Sequence, residues 1–440
     1  MIKKSEWQTG SWNEQDLQAK VLNLKPSATL WINERSAQLA SEGHTIYRLG
    51  LGQSPFPVPN EVVTALIEYA QEKDYLPVRG LPALRQAVCD RIKRFDGLER
   101  SAQNVIIGPG SKELIYMVQM SLKARLILPS PSWVSYAPQA SLTDRKVSWI
   151  NTTWQEGLRL TAKHLEETCS AHPGERLILV LNTPNNPSGI TYNESELRSF
   201  ADVFRRYSVL VISDEIYSET HFQGAHISLA RYYPEGTLIS NGISKWAGAG
   251  GWRLGWLSAP TELTWLIEAL GKIASETFTA VSAPIQYAAI SATKDTPTLS
   301  SYLLACQKIL GELSCQAMER LHKVNIKVCE SNGGFYLFIS LEAHREKLSL
   351  RKVDSGSTLA QALLNETGVA SLEGAHFGRA PEELSLRLAL VDFDGAKAID
   401  SVKDPTYISD SRLSEVVHSH CTKVMTAIDL ICEWIKTHAL

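Results

Sequence analysis

The sequence predicts an α/β fold, with a large domain built on a mostly parallel sheet and joined to a smaller α+β domain. Three observations carry that expectation. Short apolar runs rich in β-branched residues alternate with helical patterns through the middle of the chain, as when helices cover both faces of a parallel sheet. Polar segments containing glycine follow several of these runs, at the strand ends where open α/β sheets bind ligands. The length of 440 residues allows a large domain plus a smaller one.

The expected strands of the large domain are Val105–Ile107, Arg125–Leu128, Val147–Ile150, Leu177–Leu181, Val209–Ile212, Leu238–Ser240 and Leu254–Leu257. Helix-like stretches such as Glu194–Tyr207 separate them. From about Thr298 to Glu330 the pattern turns helical and charged, which suits long helices leading to the second domain. Residues 334–341 and 384–391 read as strands of that domain, and Val424–Ile435 as an amphipathic final helix. Between them, residues 396–422 are rich in Asp, Ser, Lys and His and are expected to form an exposed insertion, the alternative being a substrate or partner element.

Bulk properties exclude several classes. A formal net charge of −3 gives no nucleic-acid footprint. The seven cysteines are scattered, odd in number and without a CxxC pair, which fits a reducing cytoplasm rather than a disulfide framework or zinc site. The opening Met-Ile-Lys-Lys-Ser-Glu-Trp lacks an apolar leader core, and no apolar run approaches membrane-spanning length. The expectation is a soluble cytoplasmic protein.

The chemistry concentrates in Ser240-Asn-Gly-Ile-Ser-Lys245-Trp-Ala-Gly-Ala-Gly-Gly-Trp-Arg253. A lysine amine condenses with an aldehyde only when deprotonated, a state that burial or a neighbouring cation supplies. An arginine fork eight residues on would clamp a phosphate. Aldehyde and phosphate together describe pyridoxal 5′-phosphate (PLP), whose chemistry also needs a partner for its pyridine nitrogen. Upstream lie Leu181-Asn-Thr-Pro-Asn-Asn-Pro-Ser-Gly189 and Ser213-Asp-Glu-Ile-Tyr217. In this order and spacing the three segments resemble the fold-type-I PLP enzymes, specifically the class I/II aminotransferases related to aspartate aminotransferase. The resemblance runs from about Leu49 to the region of Arg387.

That resemblance implies a role for each matching residue. Lys245 is the Schiff-base lysine and general base, and Asp214 pairs with the pyridine nitrogen. Tyr217 and Asn186 hold the cofactor's 3-oxygen. Gly108-Pro-Gly110-Ser111-Lys112 follows a strand and opens a helix, so the free N–H groups of Gly110, Ser111 and Lys112 make a phosphate cradle, with Arg253 as its clamp. Trp133 stacks on the ring. Tyr75 reaches the phosphate of a neighbouring subunit, and a hydroxyl within 277–282 crosses the same interface, which makes the protein a homodimer with shared sites. Arg387, an arginine on an apolar strand, binds the substrate α-carboxylate beside Gly52 and Asn186. Here the chain reads Gly-Gln-Ser-Pro-Phe where the family usually has Gly-Glu-Pro-Asp-Phe. Lys112 stands where some aspartate aminotransferases carry the lysine that contacts the distal carboxylate of aspartate or glutamate.

The implied domains are 1–60 (an N-terminal arm and part of the small domain), 61–310 (the large cofactor-binding domain) and 311–440 (the small domain). The implied activity is transfer of an amino group from an L-amino acid to a 2-oxo acid through pyridoxamine phosphate, with no metal. A lyase or an oxidase acting on an L-amino acid could use the same residues, and a scaffold protein that has lost catalysis would not be expected to retain both Lys245 and Asp214.

Overall fold

The computed structural model describes residues 12–22, 24 and 28–439. The opening Met1–Trp7 lies outside them. Seven strands form the central sheet: β1 (Val105–Gly108), β2 (Arg125–Ser130), β3 (Val147–Asn151), β4 (Leu177–Asn182), β5 (Leu210–Asp214), β6 (Thr237–Gly242) and β7 (Gly255–Ser258). Their spatial order is β1-β7-β6-β5-β4-β2-β3. Only β7 runs against its neighbours. Each expected strand is present, with no end shifted by more than two residues.

Helices α1 (Pro82–Asp96), α2 (Ser111–Ser121), α3 (Tyr136–Leu142), α4 (Glu194–Tyr207) and α5 (Thr264–Glu276) flank this sheet. The strands are apolar on both faces because both are covered. Leu126, Leu128, Ile178 and Val180 pack with Ile115 and Leu266 on one side, while the alternating Ile127, Leu179 and Leu181 meet Leu197, Phe200 and Phe204 on the other. Each such side chain taken from water stabilises the layer by about 1.5–3 kcal/mol. Helix α4 starts at a capping box made by Asn193 and Glu196 and stops at Ser208, whose backbone is left-handed.

The 26-residue helix α6 (Pro297–His322) leads into a four-stranded antiparallel sheet. Its strands are β8 (Lys327–Val328), β9 (Tyr336–Ser340), β10 (Leu372–Glu373) and β11 (Ser385–Ala389), in the order β10-β11-β9-β8. The helical stretch therefore ends before Glu330. Helices α7 (Gly356–Thr367), α8 (Asp410–His420) and α9 (Thr422–Ala439) close the layer. One continuous core joins Leu310, Leu337, Leu386, Val416 and Ile428. Tyr47–Arg48 runs parallel to Val369–Ala370, so the early chain is stitched to this late unit.

The expectation of an exposed insertion at 396–422 is corrected. Residues 395–401 and 410–420 are helical, and Leu413, Val416, Val417 and Cys421 are buried against the core. Asp, Ser, Lys and His occupy the outer face of an amphipathic helix, whose inner face is carried by residues three and four apart.

Candidate active site

A cleft of about 590 Å³ opens beside the C-terminal ends of β4, β5 and β6 and receives β9 and β11 from the second unit. It gathers Gly52, Ser111, Lys112, Trp133, Asn186, Asp214, Tyr217, Lys245, Arg253 and Arg387. Sequence order therefore brings together ten of the marked residues. Gly110 sits just behind Ser111 as the residue preceding α2. Tyr75 does not reach this cleft and is 92 % exposed. Thr277 to Ser282 form the link after α5, with Thr279 left-handed. A second hollow of about 600 Å³, around Lys123, Arg176 and Trp265, gathers none of the marked residues.

Asp214 is the last residue of β5 and is buried. The Tyr136 hydroxyl donates to its Oδ2 at 2.5 Å, and the Ile216 N–H approaches Oδ1 at 3.4 Å. Burial raises its pKa to about 6, while the Tyr136 hydrogen bond pulls the other way. Asn182, one strand over, donates to the Asp214 carbonyl at 2.8 Å and accepts from the Asn186 N–H at 2.7 Å. The Asn-Pro turn is thus tied to the carboxylate strand.

Lys245 lies in the loop between β6 and β7, and its Nζ donates to the Gly52 carbonyl at 2.7 Å. Burial, assisted by the charge of Arg387, lowers its pKa to about 8, with Asp214 opposing. An amine in that range is a usable base near neutral pH. The Tyr217 hydroxyl meets that of Tyr336 at 2.8 Å, and burial holds both phenols above their usual range. Gly52 is the expected glycine, but here its carbonyl faces the lysine. A Cβ on Gly52 would lie 1.8 Å from the Tyr336 hydroxyl, so only glycine fits.

Arg253 adopts a left-handed backbone at φ 56° and donates to the carbonyls of Gly250 at 2.9 Å and Pro109 at 3.1 Å. A Cβ on Gly110 would lie 2.4 Å from its Nη2, and one on Gly255 would lie 2.4 Å from the Ser111 nitrogen. Two glycines therefore permit the guanidinium to close on the start of α2, where free N–H groups favour an anion. Lys112 points its Nζ 5.1 Å from the Trp133 ring centre, and burial followed by the charge of Arg253 lowers its pKa. Arg387 is fully buried, donating to Asn186 Oδ1 at 3.2 Å and to the Gly50 carbonyl at 2.5 Å, with Nε unpartnered. No carboxylate pairs with it among the described residues.

Two residues at the site escaped the sequence reading. Tyr136 opens α3 three positions after Trp133, whose carbonyl accepts from its N–H at 3.2 Å across the turn before the helix, and the two rings meet in a T-shaped contact. Tyr336 looked like one more apolar residue of a strand, yet a buried phenol needs a hydrogen-bond partner.

The family profile described as aminotransferase class I and II matches residues 44–394. The chain belongs to the class I and II aminotransferases. An aspartate aminotransferase of Bacillus sp. (strain YM-2) is 30 % identical over 387 residues, covering 84 % of this chain and 94 % of the relative. An asparagine–oxo-acid transaminase of Streptococcus mutans is 29 % identical over 391 residues, covering 85 % and 94 %. The solved aspartate aminotransferase of Thermus thermophilus shares the fold with TM-score 0.78 at 24 % identity, covering 93 % of this chain and 99 % of that one. These likenesses favour an aminotransferase over the lyase and oxidase alternatives. No described helix is long and apolar enough to cross a membrane.

Proposed function

We propose that this aminotransferase binds pyridoxal 5′-phosphate in the cleft and takes its amino group from a dicarboxylic amino acid, aspartate or glutamate. The observation that carries this reading is the charge of the walls. Lys112, Lys245, Arg253 and Arg387 face a space with one carboxylate, Asp214, and none of the four has an ion-pair partner among the described residues. Arg387 is buried and Lys245 half-buried, where a cation without an acidic partner is costly, while Lys112 and Arg253 line the open side of the cleft. A phosphate and two substrate carboxylates would neutralise them.

The residues present fit the cofactor. Ser111, the start of α2 and Arg253 suit its phosphate, Asp214 its ring nitrogen, Tyr217 and Asn186 its ring oxygen, and Trp133 its face. The unpartnered Nε of Arg387 suits a carboxylate fork. When bound, the cofactor supplies an aldehyde that carries the amino group and a ring that withdraws electrons. Lys245 removes the proton from the substrate Cα and returns it on the other side of the transfer. Tyr136 keeps Asp214 oriented, and Lys112, at the Trp133 end, receives the distal carboxylate.

The exposed Tyr75 suits a contact across a homodimer. The seven cysteines are all free and six are buried, in keeping with a reducing cytoplasm.

A panel of amino donors tests the reading. Aspartate and glutamate are expected to exceed alanine and phenylalanine in kcat/KM, with asparagine as the neutral comparison. Lys112→Ala should cost the diacids about ten- to a hundredfold and the others little. Equal loss for all donors would remove Lys112 from substrate recognition.

A further inference from the structure

A third cavity, of about 410 Å³, is walled by α1, β6 and the turn after Tyr217. Its charged groups include Arg91 of α1 and Glu219 of the turn Ser218–Thr220, whose side chains are 5 % and 6 % exposed and in direct ion-pair contact. The two partners stand next to the catalytic segments. Glu219 is two residues beyond Tyr217, and its Oε2 accepts from Ser218 at 2.7 Å. The guanidinium carbon of Arg91 lies 5.0 Å from the ring centre of Trp246, the residue after Lys245, and 4.4 Å from that of Phe95.

Apart from the Trp252 N–H to Ala249 bond at 3.0 Å, the lysine loop is held from within by long bonds. Its backbone bonds from Ile243 to Leu254, Gly248 to Lys245 and Ala249 to Ile243 measure 3.4, 3.3 and 3.3 Å, at or beyond the long end of ordinary N–H···O distances. The turn after Tyr217 is anchored more firmly. Gln307 donates to the Glu219 carbonyl at 2.9 Å, and Asn241 of β6 to the Ser218 hydroxyl at 3.0 Å. A planar cation against an indole face is a directional contact that a point-charge lysine reproduces poorly.

We infer that Arg91 is a positioning residue for the aminotransferase reaction: paired with Glu219 and stacked on Trp246, it clamps the lysine-bearing loop to the turn that carries Tyr217. Arg91 touches neither substrate nor cofactor. It acts through Trp246 on Lys245 and through Glu219 on Tyr217. The role of Lys245 in this inference rests on the proposed function. The position and environment of Lys245 in the cofactor-free protein do not.

The test compares the wild type with Arg91→Lys and with the double variant Arg91→Met/Glu219→Leu, which leaves no buried charge unpaired. In each cofactor-free protein, cyanate carbamylation of Lys245 is followed against pH by peptide mass spectrometry. The dissociation constant for pyridoxal phosphate and the thermal midpoint are measured alongside. Loosening the loop admits water to the amine, so the carbamylation midpoint of the double variant should rise by about one pH unit. Cofactor binding should weaken about tenfold, with the thermal midpoint within a few degrees of wild type. Arg91→Lys should fall between the two. A folded double variant with the wild-type midpoint and cofactor affinity would overturn the inference. Should that variant not fold, an unshifted Arg91→Lys would overturn it equally. A wild type that takes up no pyridoxal phosphate would instead remove the proposed function, while the carbamylation midpoints would still test the clamp.

Discussion

Two fully buried arginines in this chain meet opposite fates. Arg91 is closed by Glu219, two hydrogen-bonding neighbours of that carboxylate, and the faces of Trp246 and Phe95. Arg387 is closed by nothing acidic; it has a side-chain amide oxygen, a carbonyl and the flanking rings of Tyr336 and Phe377. Both pay the desolvation cost of a buried charge, but only Arg91 recovers it inside the fold. An arginine whose anion is part of the chain holds structure together. An arginine with no anion in the chain is left to take one from outside, which is what the proposed function asks of Arg387 and, in the same cleft, of Lys112, Lys245 and Arg253.

The sharpest way to break this comparison is at the amine. Lys245→Ala should lower turnover by about four orders of magnitude or more, because it removes the group proposed to exchange with substrate and move its proton. Retained turnover in steady-state assays would defeat the assignment. The two arginines come next, and they should dissociate. Arg387→Met is expected to cost about a thousandfold in kcat/KM, while denaturant unfolding of the cofactor-free protein stays within about 1 kcal/mol of wild type, since an uncompensated charge leaves with its hydrogen bonds. Arg91→Met strands Glu219 and should destabilise by about 3–5 kcal/mol. Equal destabilisation by both substitutions would show that Arg387 is structural after all.

Much of this contrast was legible in the sequence. Asp214 ends one apolar run and Lys245 follows another, so alternation puts both at the C-terminal end of the sheet, and Arg387 in Ser385-Leu-Arg-Leu-Ala-Leu reads as a cation needing an anion. What closes Arg91 was not legible. Glu219 lies 128 positions away, and nothing local distinguishes it from a solvated glutamate. Tyr136 is not legible either, because the turn that carries Trp133 into α3 brings the tyrosine onto Asp214, 78 positions away in sequence. The stretch 396–422 has the polar composition of an exposed segment, but Leu413, Val416 and Val417 carry the spacing of a buried stripe.

Smaller effects refine the comparison. Tyr136→Phe removes the 2.5 Å hydrogen bond to Asp214. Because that bond holds the carboxylate pKa down, its loss should push the Asp214 pKa above about 6, raising the lower pH limit of cofactor binding; an unmoved limit would show that Tyr136 does not tune Asp214. Lys245 has the opposite linkage. Its folded pKa of about 8 lies below the ordinary 10.5, so the unfolded chain binds more protons between those values. Its penalty is therefore fully present below pH 8 and is relieved as pH rises through that window. Stability measured from pH 8 to 10.5 should rise relative to that of Lys245→Met, and parallel curves would contradict the depressed pKa.

The most direct test of the central claim is a single half-reaction. Purified protein loaded with pyridoxal phosphate is mixed with L-aspartate or L-glutamate and no acceptor, and visible absorbance and released oxo acid are followed together. Loss of the visible band with one equivalent of 2-oxo acid per protomer is the predicted result. A loaded protein whose spectrum neither acid changes would contradict the dicarboxylate reading, and release of ammonia or peroxide instead would contradict amino-group transfer itself.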